Sequence, residues 1–104
     1  MKIYKEIKSP VLDILLTGRQ SATIGEDIAS LLNWELRDVT REITRLRRKG
    51  VPICANSVGE IRGYYLAETQ EELDEFCKRF KNRLSEIKRT LAGLEKYQEE
   101  KKNA

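Results

Sequence analysis

Residues 35–49 carry four apolar side chains, Leu36, Val39, Ile43 and Leu46, at successive spacings of 3, 4 and 3. That period puts them on one narrow stripe of an α-helix and leaves most of the circumference to solvent. The spacing predicts a helix over 35–49, ended by Gly50 and kept from resuming by Pro52. A helix anchored along a single edge must belong to a small core built from several elements, with a long polar face left outside.

The charge distribution singles out the same segment. It holds Arg37, Arg41, Arg45, Arg47, Arg48 and Lys49 against Glu35, Asp38 and Glu42, whereas basic and acidic groups balance over 1–34, 50–67 and 68–104. The whole net charge of +3 therefore sits in fifteen residues. A chain of 104 residues, 39% hydrophobic and 36% charged, fits one globular domain with an appended element. The longest near-apolar run, residues 11–16, is interrupted by Asp13 and falls far short of the ~20 residues of a membrane span. With no signal-peptide pattern, the expected location is cytoplasmic, with no membrane partner. Histidine is absent, and Cys54 and Cys77 lie in no metal-like spacing. Zinc sites and histidine acid–base chemistry are not expected, and both thiols read as buried small hydrophobes.

Along the chain, residues 1–8 read either as one helical face through Ile3 and Ile7 or as a fraying arm. Ser9-Pro10 is an N-cap followed by proline at the first helical position. The first helix is expected to reach about Thr17, with Val11, Leu12, Leu15 and Leu16 inward and Gly18 as its stop. Residues 22–24 suit a short strand, and Thr23 with Glu26 is a capping-box pattern. A second helix over about 25–32 is expected to bury Ile28, Leu31 and Leu32, and Asn33-Trp34 makes a tight turn. Trp34 reads as a plug between helices two and three, with stacking on a nucleic-acid sugar as the other reading. Residues 51–56 and 63–67 read as strands around a flexible tip at 57–62. Tyr64 and Leu66 should point inward and Tyr65 outward. The last helix starts near Thr69, which forms a capping-box pattern with Glu72, and runs to about Glu100. Its first turns are acidic (Glu71, Glu72, Asp74, Glu75), as the helix dipole favours.

Helix, short strand, helix, tight turn, helix and hairpin follow one another in the order of a winged helix-turn-helix. Residues 24–67 resemble the winged helix-turn-helix of the biotin-repressor kind. Ala29 stands where a small residue lets the third helix pack close, Leu31-Leu32 precede the turn, and Val39, Ile43 and Leu46 anchor the recognition helix. The run from Lys49 to Ile53 leads into the wing, and residues 63–66 (GYYL) form its return strand. Asn33 stands where glycine is usual, and Glu35 where serine or threonine usually caps the helix. The fold class is therefore read as mainly α with a small β wing: a winged helix-turn-helix over 1–68, followed by a long C-terminal helix over 69–104.

The resemblance implies double-stranded DNA as partner, and the helix has the chemistry for it. The major groove accepts one α-helix, and residues near the helix start reach base edges. Arg37, Asp38 and Arg41 are assigned to base readout, because arginine pairs with guanine O6 and N7 and aspartate accepts from cytosine N4. Thr44, Arg45 and Arg48 are assigned to phosphates, and Arg62 at the hairpin tip is the wing contact. The competing reading is a solvated charged face on which Glu42 pairs with Arg45 or Arg41 and blunts the field.

Leu73, Cys77, Phe80, Leu84, Ile87, Leu91, Leu94 and Gln98 alternate at spacings of 4 and 3, the period of a coiled-coil seam or an ordinary amphipathic face. The seam spans ~38 Å as a helix, longer than a domain of this size, ~28 Å, can cover. A homodimer through Cys77, Phe80, Leu84, Ile87, Leu91 and Leu94 is the simplest cover, and Lys81 facing Glu95 favours an antiparallel pair. Lys78, Arg79, Lys81, Arg83, Lys88 and Arg89 form a basic strip that reads as a solvated face or a second phosphate contact.

These features point to a sequence-specific regulator acting by occupancy, a repressor or activator of a size compatible with a phage or mobile-element protein. The alternative is a winged-helix adaptor or inhibitor in replication or transcription machinery. An enzyme ranks last, since no nucleophile–base pair, phosphate loop or metal cluster is legible, and no cofactor or small-molecule ligand is expected.

Overall fold

A computed structural model of the chain describes residues 3–57 and 59–102. Met1 and Lys2 of the N-terminal stretch, Val58 of the predicted hairpin tip and the last two residues lie outside this description. By its internal contacts the chain divides into two compact units, Met1–Leu73 and Asp74–Ala104.

The first unit opens with a single 3₁₀ turn over Ile3–Glu6, after which Ile7, together with Tyr4, packs against the core. Helix α1 (Pro10–Ile14) starts as its sequence dictates: Ser9 is the N-cap, its hydroxyl accepting from the Leu12 amide, and Pro10 holds the first position. It ends earlier than the apolar spacing suggests. Leu15 is already extended, with ψ of 132°, and the next residues join the wing: the Leu66 amide donates to the Leu16 carbonyl and the Gly18 amide to the Leu66 carbonyl. Sheet pairing thus replaces the last helical turn. Val11 and Leu15 are buried, but Leu16 is exposed rather than part of the stripe.

Helix α2 (Gly25–Leu32) lacks the predicted capping box. Its N-cap is Ile24, with no side-chain cap, and Thr23 instead exchanges both backbone hydrogen bonds with Tyr64. The expected short strand reduces to this one bridge. Gly25, Ile28 and Ala29 are buried and Leu32 half-buried, whereas Leu31 is 69% exposed. At ~100° per residue, Leu31 lies roughly a quarter-turn or more from the centre of the face the others share. Asn33 takes the left-handed conformation, φ 56° and ψ 42°, and the Trp34 amide returns to the Ala29 carbonyl. Asparagine therefore serves where glycine is more usual.

Helix α3 (Leu36–Arg48) buries Val39, Ile43 and Leu46 almost completely. These pack with Val11, Leu15, Ile28, Ala29, Val51, Ile53 and Leu66 in one core. Strands β1 (Ile53–Asn56) and β2 (Gly63–Leu66) pair antiparallel in the register Ile53↔Leu66, Cys54↔Tyr65, Ala55↔Tyr64 and Asn56↔Gly63. Ile53 and Leu66 face the core. Tyr65 is not outward as alternation predicts, being only 2% exposed. Alternation leaves one face to water only when a sheet is covered on one side. Here the second face is closed too: Cys54, paired with Tyr65, is fully buried, and its thiol donates to the Glu72 carbonyl. On that face the Asn56 amide donates to the Ile61 carbonyl, bracing the tip.

Helix α4 (Gln70–Lys102) begins at Thr69, whose hydroxyl accepts from the Glu72 amide at 3.2 Å. The capping box is half formed. The Glu72 carboxylate turns to the Glu68 amide at 2.8 Å and the Arg19 amide at 3.1 Å, tying the helix start to the turn after α1. The second unit is the remainder of this helix, and Cys77 is exposed in it, unlike Cys54.

The first unit, followed by the long helix, is thus a mainly α arrangement with a two-stranded wing, a topology compatible with winged-helix folds in general. Among the described residues no helix is long and apolar enough to cross a membrane.

Candidate nucleic-acid interface

The start of α3 is set by acids. Glu35 is the N-cap, with extended backbone, and its amide donates to Asp38 Oδ2 at 3.3 Å. An acidic residue three positions into a helix satisfies an otherwise open amide and complements the positive end of the dipole. Asp38, assigned from sequence to base readout, therefore also holds the helix start and is half-buried.

The arginines divide into three kinds. Arg37, Arg41 and Arg48 are exposed; Arg37 has a loose contact with Glu35 at 3.7 Å, and Arg41 and Arg48 make no ion pair among the described residues. Arg45 is held by Glu42, its Nε donating to Oε1 at 2.6 Å and its Nη2 to Oε2 at 2.7 Å. Arg47 faces the wing: its Nε donates to the Ile53 carbonyl at 2.9 Å and its guanidinium lies 5.8 Å from the Tyr64 ring centre. Its job is to fasten α3 to the hairpin, a role its place in the charge run concealed.

The Glu42 carboxylate also accepts from the Ser9 hydroxyl at 2.6 Å. The hydrogen bond from Arg45 holds its carboxyl below the usual value, with Ser9 adding to the effect and partial burial opposing it. The same bond raises Arg45 further above its already high value.

One open surface on α3 is lined by Leu36, Arg37, Thr40, Arg41, Thr44, Arg45, Arg48 and Lys49. It gathers every sequence-assigned residue of the helix except Asp38. Asp38 borders a neighbouring depression with Trp34, Arg41, Glu42 and Arg45. Trp34 is accordingly no buried plug: it is 36% exposed, beside two arginines. Arg62 is exposed at the wing tip and belongs to neither lining. Leu36 was missed: its spacing marks it as core, yet it is 44% exposed and lies on the outer surface. One of its methyls, Cδ1, turns toward α2, where a Cβ on Gly25 would stand 2.8 Å from it.

In the second unit, Phe80, Leu84, Ile87, Leu91 and Leu94 are all about half exposed or more, and Tyr97, beside the row, is exposed with them. Ile87, Leu91 and Leu94 line a shallow apolar groove with Arg83, Glu86 and Thr90. A lone helix cannot cover this row. The Glu86 carboxylate accepts from Arg89 at 3.1 Å on the helix surface.

Among the described residues no group of three or more His, Cys, Asp and Glu side chains is placed to hold a metal ion. What the α3 surface can do chemically is bind an extended polyanion: guanidinium groups on an exposed helical ridge, a hairpin behind it, and an aromatic edge at its start. No family model, curated protein or solved structure compared with the chain matches it.

Proposed function

We propose that the chain is a sequence-specific double-stranded DNA-binding protein, a winged helix-turn-helix akin to the biotin-repressor kind. It regulates transcription by occupying its site as a dimer paired through α4. The observation that carries this reading is the division of α3 into two sides: Val39, Ile43 and Leu46 buried, and Arg37, Arg41 and Arg48 exposed on the surface that the helix offers outward. Arg37, Arg41 and Asp38, at and near the helix start, read base edges; Arg45 and Arg48 meet phosphates, and Arg62 extends contact from the wing, while Thr44, assigned from sequence to a phosphate, has its hydroxyl committed to the Thr40 carbonyl. The uncovered apolar row on α4 supports pairing with a second copy, since leaving such side chains wet forgoes ~1.5–3 kcal/mol each.

Titrating a fluorescent duplex at several salt concentrations tests the reading. Binding through phosphates must weaken as salt rises, with log K falling by about 0.9 per phosphate neutralised for each unit of log salt. The same apolar row also favours a second reading, an adaptor that docks a foreign helix. Absence of duplex binding even at low salt would select the adaptor.

A further inference from the structure

The outer surface of α3 carries two parallel rows. Arg37, Arg41 and Arg45 recur every fourth residue, and so, one position earlier, do Leu36, Thr40 and Thr44; all six line the same surface. The second row is apolar in what it offers. Leu36 is 44% exposed. The Thr40 hydroxyl donates to the Leu36 carbonyl and the Thr44 hydroxyl to the Thr40 carbonyl, each at 3.1 Å. Both hydroxyl protons are therefore engaged within the helix, and the γ-methyl is the non-bonded end of each side chain.

One exposed leucine is ordinary on a protein surface. A leucine and two back-bonded threonines in register beside an arginine row are a more specific arrangement, matched to a surface with methyl groups beside anionic or acceptor groups. In the major groove, guanine offers two acceptors to arginine, and thymine carries the only methyl among the four unmodified bases. Side chains four apart on a helix have Cβ atoms about 5–6 Å apart, between one and two base-pair rises of about 3.4 Å. We infer that Leu36 and Thr40 read thymine methyl groups, so that the preferred site places thymines within two steps of the guanines taken by Arg37 and Arg41. This rests on the DNA-binding reading above and adds to it a base identity that charge alone does not supply.

The test uses the full chain and a duplex selected from a random pool, synthesised with thymine or with deoxyuridine at each thymine of the site. Deoxyuridine removes only the methyl and leaves every hydrogen-bonding edge intact, so protein folding does not enter. The wild type should lose about threefold to fivefold in affinity for each methyl contacted, the factor that corresponds to burying one such group. Leu36→Ala should bind the thymine duplex correspondingly weaker and lose discrimination at the thymine that Leu36 contacts, keeping it at the one read by Thr40. Thr40→Ser, which keeps the hydroxyl, should lose discrimination at one position. Equal wild-type affinity for both duplexes, full discrimination retained by Leu36→Ala, or a selected site without thymine would overturn the inference while leaving DNA binding intact. Failure to bind any duplex at low salt would overturn both.

Discussion

Glu42 grips Arg45 with both carboxylate oxygens, at 2.6 and 2.7 Å, while taking the Ser9 hydroxyl at 2.6 Å. The helix-starting serine of α1 is thereby linked through one acid to an arginine on the candidate DNA surface. The acid aims that arginine and also cancels its charge. Glu42→Gln should therefore tighten non-specific duplex binding and steepen the dependence of log K on log salt by up to about 1, as the charge of Arg45 that Glu42 cancels becomes fully available to the phosphate it meets. Unchanged affinity and slope in paired titrations would show that Glu42 does not blunt the contact of Arg45 with phosphate.

The same acid sets a pH dependence. Its carboxyl is held below the ordinary value of 4.5, mainly by the hydrogen bond from Arg45. A depressed acid stabilises the fold above its unfolded-state pKa, and that stabilisation is lost as pH falls through the lower folded-state value. Wild type should lose more stability than Glu42→Gln as pH drops below 4.5, read from denaturant unfolding at a series of pH values. Parallel curves for the two proteins would remove Glu42 from the account.

Arg41 and Arg48 make no ion pair among the described residues, so their removal should leave stability almost unchanged and separate their two roles. Arg41→Ala should cost ~1–3 kcal/mol on the selected duplex and relax its sequence preference. Arg48→Ala should weaken binding to all duplexes alike and lower the salt slope by about 1. Equal binding by Arg41→Ala and wild type at fixed salt would dismiss base readout by that residue.

Leu46 is fully buried between α3 and the rest of the core. Leu46→Ala should cost about 2–5 kcal/mol in urea unfolding, the range for a leucine truncated in a packed interior. Arg37 and Arg41 keep their guanidinium groups in this variant, so weaker duplex binding near its unfolding midpoint would measure how far DNA binding depends on the anchored helix.

Gly63 and Gly50 provide a paired test of the wing. Both have positive φ, 122° and 93°. A Cβ at Gly63 would stand 2.3 Å from the Thr23 backbone, where the bridge to Tyr64 forms, whereas at Gly50 it meets nothing within 4 Å. Gly50→Ala should cost only ~1–2 kcal/mol of left-handed backbone strain. Gly63→Ala should cost about 3 kcal/mol or more, because backbone must move. Similar melting temperatures for the two variants would contradict this.

For α4, Ile87→Glu with Leu91→Glu should shift sedimentation to a monomer with the first unit still folded, since both residues lie in the exposed row. A wild type that sediments as a monomer at all concentrations would end the proposal of pairing.

Where α3 lies, which of its residues anchor it and that its surface is basic are all legible in the residues alone. Helix periodicity is local, and Val39, Ile43 and Leu46 fall on one stripe whatever surrounds them. Asn33 as a left-handed turn, Ser9 as a cap and the antiparallel hairpin were legible for the same reason, since turn and cap preferences act over a few residues. Tertiary structure decided matters of partnership. Leu16 and Thr23 leave their expected roles because β2 has an edge for their backbones to join. Tyr65 goes inward because both faces of the hairpin are covered, and Leu36 stays half exposed at the edge of the core with one methyl toward Gly25 of α2. Among six like charges, the sequence does not distinguish Arg47, bound to Ile53, from Arg45, held by Glu42, or from the exposed Arg41. Those differences arise only when residues distant along the chain are brought within a hydrogen bond of one another, and no local period carries that information.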